Sequence, residues 1–119
     1  MMFFRQARTP GLSAEEAVAA AAAGDVIVID VRDHAEVAAS GKAKGALHIP
    51  LMRLQDLCDP RHPEFCGKLT PESRIACYCA SGGRSGRAAA LLEKLGYKDV
   101  HNIGGLGHWI RAGGQIEKL

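Results

Sequence analysis

The stretch Ser73–Leu95, SRIACYCASGGRSGRAAALLEKL, decides how the rest of the chain is read. Its first residues, Ile75 to Tyr78, form a short apolar run of the strand type, and the run ends at Cys79. Ala80-Ser81-Gly82-Gly83 then form a small, flexible loop, followed by Arg84, Ser85 and an Ala/Leu-rich segment of helical period. Ala88, Leu91, Leu92 and Leu95 recur at helical spacing and supply a buried face, and Gly96 is the stop signal. The segment therefore predicts strand, glycine loop and helix from Ser85 to Leu95, with a thiol at the strand's end.

Such a loop turns backbone N–H groups inward, and the first helical turn adds further unpaired donors. The resulting cup favours an anion. A free thiol with a pKa of about 8.5 is only ~3% thiolate at pH 7. If loop amides, the helix start and Arg84 lower it to about 6.5, roughly three quarters is ionised. On this reading Cys79 is the nucleophile, while Ala80, Ser81, Gly82 and Gly83 line the cup. Arg84 at the rim binds an anion or stabilises the thiolate. Ser85 is equally well explained as a helix N-cap.

The segment Cys79-Ala80-Ser81-Gly82-Gly83-Arg84-Ser85 resembles the active-site loop of single-domain rhodaneses. Asp30-Val31-Arg32 with Glu36, followed by Gly41–Pro50 (GKAKGALHIP), is similar to a second pattern of that family, and Gly104-Gly105 with Trp109 and Gly113 to its C-terminal signature. The resemblance spans Leu12 to the C-terminus. It implies a sulfurtransferase that carries sulfur on the cysteine as a persulfide, with Ala80–Ser85 holding substrate. It also marks departures: Lys42 stands where many relatives have His, Lys44 falls near the usual Pro, and Ala80 stands where a basic residue is common. The last change removes a positive charge from the cup, weakening thiosulfate binding or favouring another donor.

The 119 residues suit one domain, and 47% apolar content is enough for one modest core. Much of that content is alanine, which predicts a thin core with little aromatic material. A net charge of +2, dispersed along the chain, gives no basic stripe for nucleic acid. The start, Met1-Met2-Phe3-Phe4, is too short for a signal-peptide core, and no run reaches ~18 apolar residues. These features predict a cytoplasmic protein with no membrane or nucleic-acid partner, as a monomer or homodimer. The expected partners are a small sulfur donor and a thiol or protein acceptor, with no cofactor beyond the covalent intermediate.

Residues 1–10 carry no clear pattern, and Thr9-Pro10-Gly11 reads as a turn. Ser13 with Glu16 is a capping-box signal for a helix from Ala14 to about Ala23. Val26–Ile29 has the continuous β-branched character of a strand buried on both faces. Asp30 and Arg32 follow at its C-terminal end, the edge where ligands bind in parallel α/β sheets. Asp30 reads first as a loop cap; Arg32 reads first as a structural ion-pair partner, with Glu36 in reach, and both are supporting candidates for the site. Further elements are a helix at His34–Ser40, a strand at Ala46–Ile49, helical turns at Met52–Leu57 and an irregular loop at 59–71 that is a candidate gate. Strand Val100–Ile103 and a helix near His108–Arg111 complete the chain. The alternation predicts one α/β domain over 1–119, with a mainly parallel sheet of about five strands and helices on both faces.

Four cysteines in such a chain read as free or chemical thiols. Cys77 lies on the same side of the pleat as Cys79 and reads as a core residue rather than a resolving thiol. Cys58, His62 and Cys66 sit at intervals of four, but Pro60 and Pro63 break the helix that would align them for a metal. No metal is expected; a Cys58–Cys66 disulfide is a second, unneeded reading. Trp109 reads as a core anchor, and His34, His48 and His101 as structural.

Three functions follow. The first is sulfur transfer through a Cys79 persulfide, from a donor such as thiosulfate to cyanide, a thiol or a protein cysteine. The second is a sulfur-relay or partner-binding module without turnover. The third is phosphatase or arsenate-reductase chemistry, whose loops place five residues between Cys and Arg. Here there are four, with no Asp inside as a general acid.

Overall fold

The computed structural model describes residues 11–118. The expectations for residues 1–10 lie outside that range. In chain order the elements are α1 (Ala14–Ala22), β1 (Ile27–Asp30), α2 (His34–Ser40), β2 (Lys42–Ala43) and β3 (Leu47–His48). A 3-10 turn (Leu51–Arg53) runs into α3 (Leu54–Cys58), followed by β4 (Arg74–Cys79), α4 (Gly83–Lys94), β5 (Asp99–Gly105), α5 (Leu106–Arg111) and β6 (Ile116–Glu117). The helix starts follow local chemistry. Ser13 and Glu16 close a capping box on α1, and Asp33 with Glu36 does the same for α2. From Asp59 to Ser73 the chain forms turns and bends, matching the irregular loop expected there.

The central sheet has four parallel strands in the order β3-β1-β4-β5. A separate antiparallel ribbon pairs β2 with β6, and was not foreseen because its two-residue strands are far apart in the sequence. Lys42 pairs with Glu117 across the ribbon, whose carboxylate also accepts from the Gly45 amide at 2.8 Å. The turn bearing the atypical Lys42 and Lys44 is thus tied to the C-terminal segment.

Strand β4 divides the interior. Ile75, Cys77 and Cys79 point to the face covered by α3 and α4, where Ile29, Leu54, Ala88 and Leu92 complete one cluster. Ala76 and Tyr78 point to the other face, with Ala17 of α1 and Leu106 and Trp109 of α5. Every residue of β4 after Arg74 is buried, as a parallel strand covered on both faces requires. The core is more aromatic than composition predicts: Tyr78, Tyr97 and Trp109 are each no more than 3% exposed. Trp109 is the anchor expected of it, and its indole N–H donates to the Gln115 carbonyl at 2.8 Å.

The pairing of β4 with β5 contains one irregularity, at the end of the sheet that carries Cys79. Cys77 faces Asn102, whereas Cys79 faces Gly105, so β5 carries one extra residue. Gly105 then lies against the chain after Cys79. A Cβ there would fall 2.1 Å from the Ala80 carbonyl oxygen and 2.8 Å from its carbon. Gly105→Ala is therefore expected to displace the loop and cost about 3 kcal/mol or more in urea unfolding. A loss below about 1 kcal/mol would show that the backbone yields instead.

Candidate active site

Cys79 ends β4, and Gly82 turns the chain from strand to helix. Gly82 has φ 112°, a left-handed conformation that a side chain would strain. It is the residue preceding α4, which begins at Gly83, two residues earlier than the sequence pattern predicts. Ser85 is therefore not the N-cap. It lies inside the first turn with its hydroxyl directed back toward the thiol.

The sulfur is held from two sides. The Gly82 amide donates to Cys79 Sγ at 3.0 Å, and Ser85 Oγ lies 3.4 Å from it. Burial pushes the thiol up, but hydrogen bonds from the Ser85 hydroxyl and from the Ser85, Gly82 and Ser81 amides outweigh it. The net result is a Cys79 pKa lowered to about 7. Roughly half the sulfur is then thiolate at neutral pH. Cys77 shows what the loop contributes: buried on the same face without those donors, its thiol is pushed up to about 12. Cys58 is likewise pushed up to about 12 by burial. One strand therefore carries an inert thiol and a poised one.

Two residues beyond the loop organise it. The Asn102 side-chain oxygen accepts from the Gly104 amide at 3.0 Å and lies 2.7 Å from Ser85 Oγ, where it competes with the Cys79 sulfur for the single hydroxyl proton. Its amide nitrogen donates to the Gly82 carbonyl at 2.9 Å. Asn102 thus fixes both the turn and the Ser85 hydroxyl. Nothing in the sequence marked it beyond a polar residue interrupting a strand.

Glu36 is the second. Both terminal nitrogens of Arg84 donate to its carboxylate, at 2.6 and 2.9 Å. The hydrogen bonds from Arg84 hold the Glu36 carboxyl down at about 2. Arg84 does sit by the loop, and its charge is strengthened by Glu36 first and by Cys79 more weakly. Arg32, expected to reach Glu36, is instead buried and pairs with Asp30 at 2.8 Å. Its remaining donors go to Ser40 Oγ and the Gly41 carbonyl. Asp30 also accepts from the Arg32 amide and from Tyr78 Oη. These two side chains are occupied in bracing the β1–α2 corner that carries Glu36.

The other candidates are dispersed. His48 contacts the Arg32 carbonyl, and His101 accepts from the Leu12 amide and faces Asp99. His62 lies 3.6 Å from Asp56, and all four cysteines are free. Among the described residues, no three His, Cys, Asp or Glu side chains converge as a metal site. Ser85→Ala is expected to raise the midpoint of Cys79 alkylation by about one pH unit, since one of the donors favouring the thiolate is lost. Iodoacetamide rates between pH 5 and 9 measure this, and an unmoved midpoint would assign the effect to the amides alone.

A parallel sheet ending in a cysteine loop closed by a helix start defines an α/β protein with an activated thiol. The chain belongs to the rhodanese-like domain family, whose model matches residues 13–112. It is 33% identical to a sulfurtransferase of Allochromatium vinosum over 75% of this chain and 76% of that one. The human single-domain sulfurtransferase has the same fold, with TM-score 0.75, 28% identity, and coverage of 87% of this chain and 97% of that one. A Rhodopseudomonas palustris structure described as a protein of unknown function and possible tyrosine phosphatase gives TM-score 0.75 and 34% identity, covering 90% and 83% of the two chains. The tRNA uridine(34) hydroxylase of Wolbachia pipientis is matched at 33% identity over 68% of this chain, but only 27% of its own length. No helix among the described residues is long and apolar enough to cross a membrane.

Proposed function

We propose that the protein is a sulfurtransferase that carries a sulfane sulfur on Cys79. The observation that supports this most directly is the hydrogen-bonded sulfur at the strand end, with its pKa lowered to about 7. The thiolate attacks the terminal sulfur of a donor such as thiosulfate. The donor's S–S bond breaks, its electron pair leaves on sulfite, and Cys79 becomes a persulfide. An acceptor thiolate or cyanide then attacks the outer sulfur and returns Cys79 as thiolate. The loop amides face the sulfur throughout, so negative charge is met by fixed donors in both half-reactions. Two half-reactions sharing one covalent intermediate give ping-pong kinetics.

The four residues between Cys79 and Arg84 favour this over phosphoryl chemistry. The loop amides already close on one sulfur atom, and Arg84 is engaged by Glu36. Intact-protein mass after brief incubation with thiosulfate, or with a persulfide if thiosulfate fails, tests the proposal. A gain of one sulfur atom, removed by cyanide and absent in Cys79→Ser, is the expected result. No gain from either donor would overturn it in favour of a binding module or phosphatase.

A further inference from the structure

The Arg84–Glu36 pair bears on which donor the site accepts, an inference that rests on the sulfur-transfer reading. Every sulfane donor inserts one terminal sulfur toward Cys79 and leaves its remainder at the rim. With thiosulfate that remainder departs as sulfite, and a dianion must approach a thiolate. With a thiol persulfide, R–S–SH, the remainder departs as a neutral thiol. In that case thiolate plus R–S–SH gives the Cys79 persulfide anion plus R–SH; the donor's S–S bond breaks, and its electron pair and proton leave on R–S.

The rim's charge separates these donors. Arg84 is the guanidinium that the loop itself presents, and both its terminal nitrogens are taken by Glu36. Both side chains are one-third exposed, 32% each, and the Arg84 charge is close enough to couple to that of Cys79. Asp33, at the start of the same helix, adds a second carboxylate close enough to act on Arg84. Position 80, beside the nucleophile, is alanine. On α4, Arg87 lies three residues further along, roughly 4.5 Å along the helix axis, while Arg111 and His108 line a separate hollow on the Ser81–Gly82 side of the loop. A dianion therefore meets a loop whose own cation is already paired.

We infer that Glu36 makes the Cys79 site selective for thiol persulfides over thiosulfate by occupying the guanidinium that a sulfonate would need. Glu36 acts through Arg84 and is a positioning residue for donor choice.

The test measures loading of one sulfur on Cys79 by quenched intact mass, with cysteine persulfide and thiosulfate at equal concentrations. The wild-type protein is expected to load about tenfold or more faster from the persulfide, the scale of one partly exposed charge contact. Glu36→Gln, which keeps the shape and releases Arg84, is expected to raise the thiosulfate-to-persulfide rate ratio by about tenfold. A merely structural role would lower both rates together and leave the ratio unchanged. Equal or faster wild-type loading from thiosulfate overturns the inference without need of the variant, and leaves sulfur transfer standing. An unchanged ratio in Glu36→Gln overturns it too. Absence of loading from both donors would instead remove the sulfur-transfer reading, and this inference with it.

Discussion

Cys79→Ser is expected to reduce sulfur loading by about 10⁴-fold or more, the scale on which loss of a nucleophile acts. The substituted oxygen fits the same space, so the fold should persist. What disappears is an atom that ionises near neutrality and forms a stable bond to sulfur. The pH dependence of the wild-type protein carries the same expectation. With a Cys79 pKa of about 7, loading should fall about tenfold per pH unit on the acid side and level off above pH 8. Residual loading of Cys79→Ser within tenfold of wild type would place the sulfur on another cysteine. Cys77 is the natural control: fully buried and pushed up to about 12, it should not take sulfur, and Cys77→Ala should leave loading intact.

The second large effect concerns stability. Asp30 and Arg32 are 0% and 4% exposed, and Asp30 is engaged by the Arg32 guanidinium, the Arg32 amide and Tyr78 Oη. Asp30→Ala removes the carboxylate and leaves a buried guanidinium uncompensated, with Tyr78 losing its acceptor. Breaking one half of such a pair costs about 3–5 kcal/mol. Urea unfolding of Asp30→Ala should show that loss. The double variant Asp30→Leu with Arg32→Met should lose less than Asp30→Ala alone, because no unpaired charge remains. If Asp30→Ala stays within about 1 kcal/mol of wild type, water reaches Arg32 and the corner is not a sealed brace. The effect also bears on function, since this corner precedes the helix that carries Glu36.

Much of the fold was legible because its determinants act within a few residues. The Ser13–Glu16 capping box, the β-branched run before Asp30 and the Ala88/Leu92 face of α4 all carry their signal locally. So did the central feature, a cysteine at a strand end followed by glycine and a helix. The helix start was misplaced by two residues because a glycine in left-handed conformation can cap as well as a serine, and the pattern alone does not say which does. That small shift changed the chemistry read for Ser85, from helix cap to partner of the sulfur.

The partners of those residues were not legible. Glu36 and Arg84 are 48 positions apart, as are Asp30 and Tyr78, and β2 meets β6 across some seventy. Arg32 had a carboxylate two residues before it and another four after it. Only the tertiary approach of the first turn of α2 to the first turn of α4 brings Glu36 to Arg84 and leaves Asp30 for Arg32. Asn102 reaches the loop because its register with Cys77 puts it on the face that α4 covers. Residue type and period state what an element is and which face it buries. They do not state which charge another charge meets, because that choice depends on how whole elements pack. The chain's residues alone thus point to a thiol at the end of a strand beside a glycine loop and a helix start, and the placement of Glu36 and Asn102 by α2 and β5 decides how that loop is charged and braced.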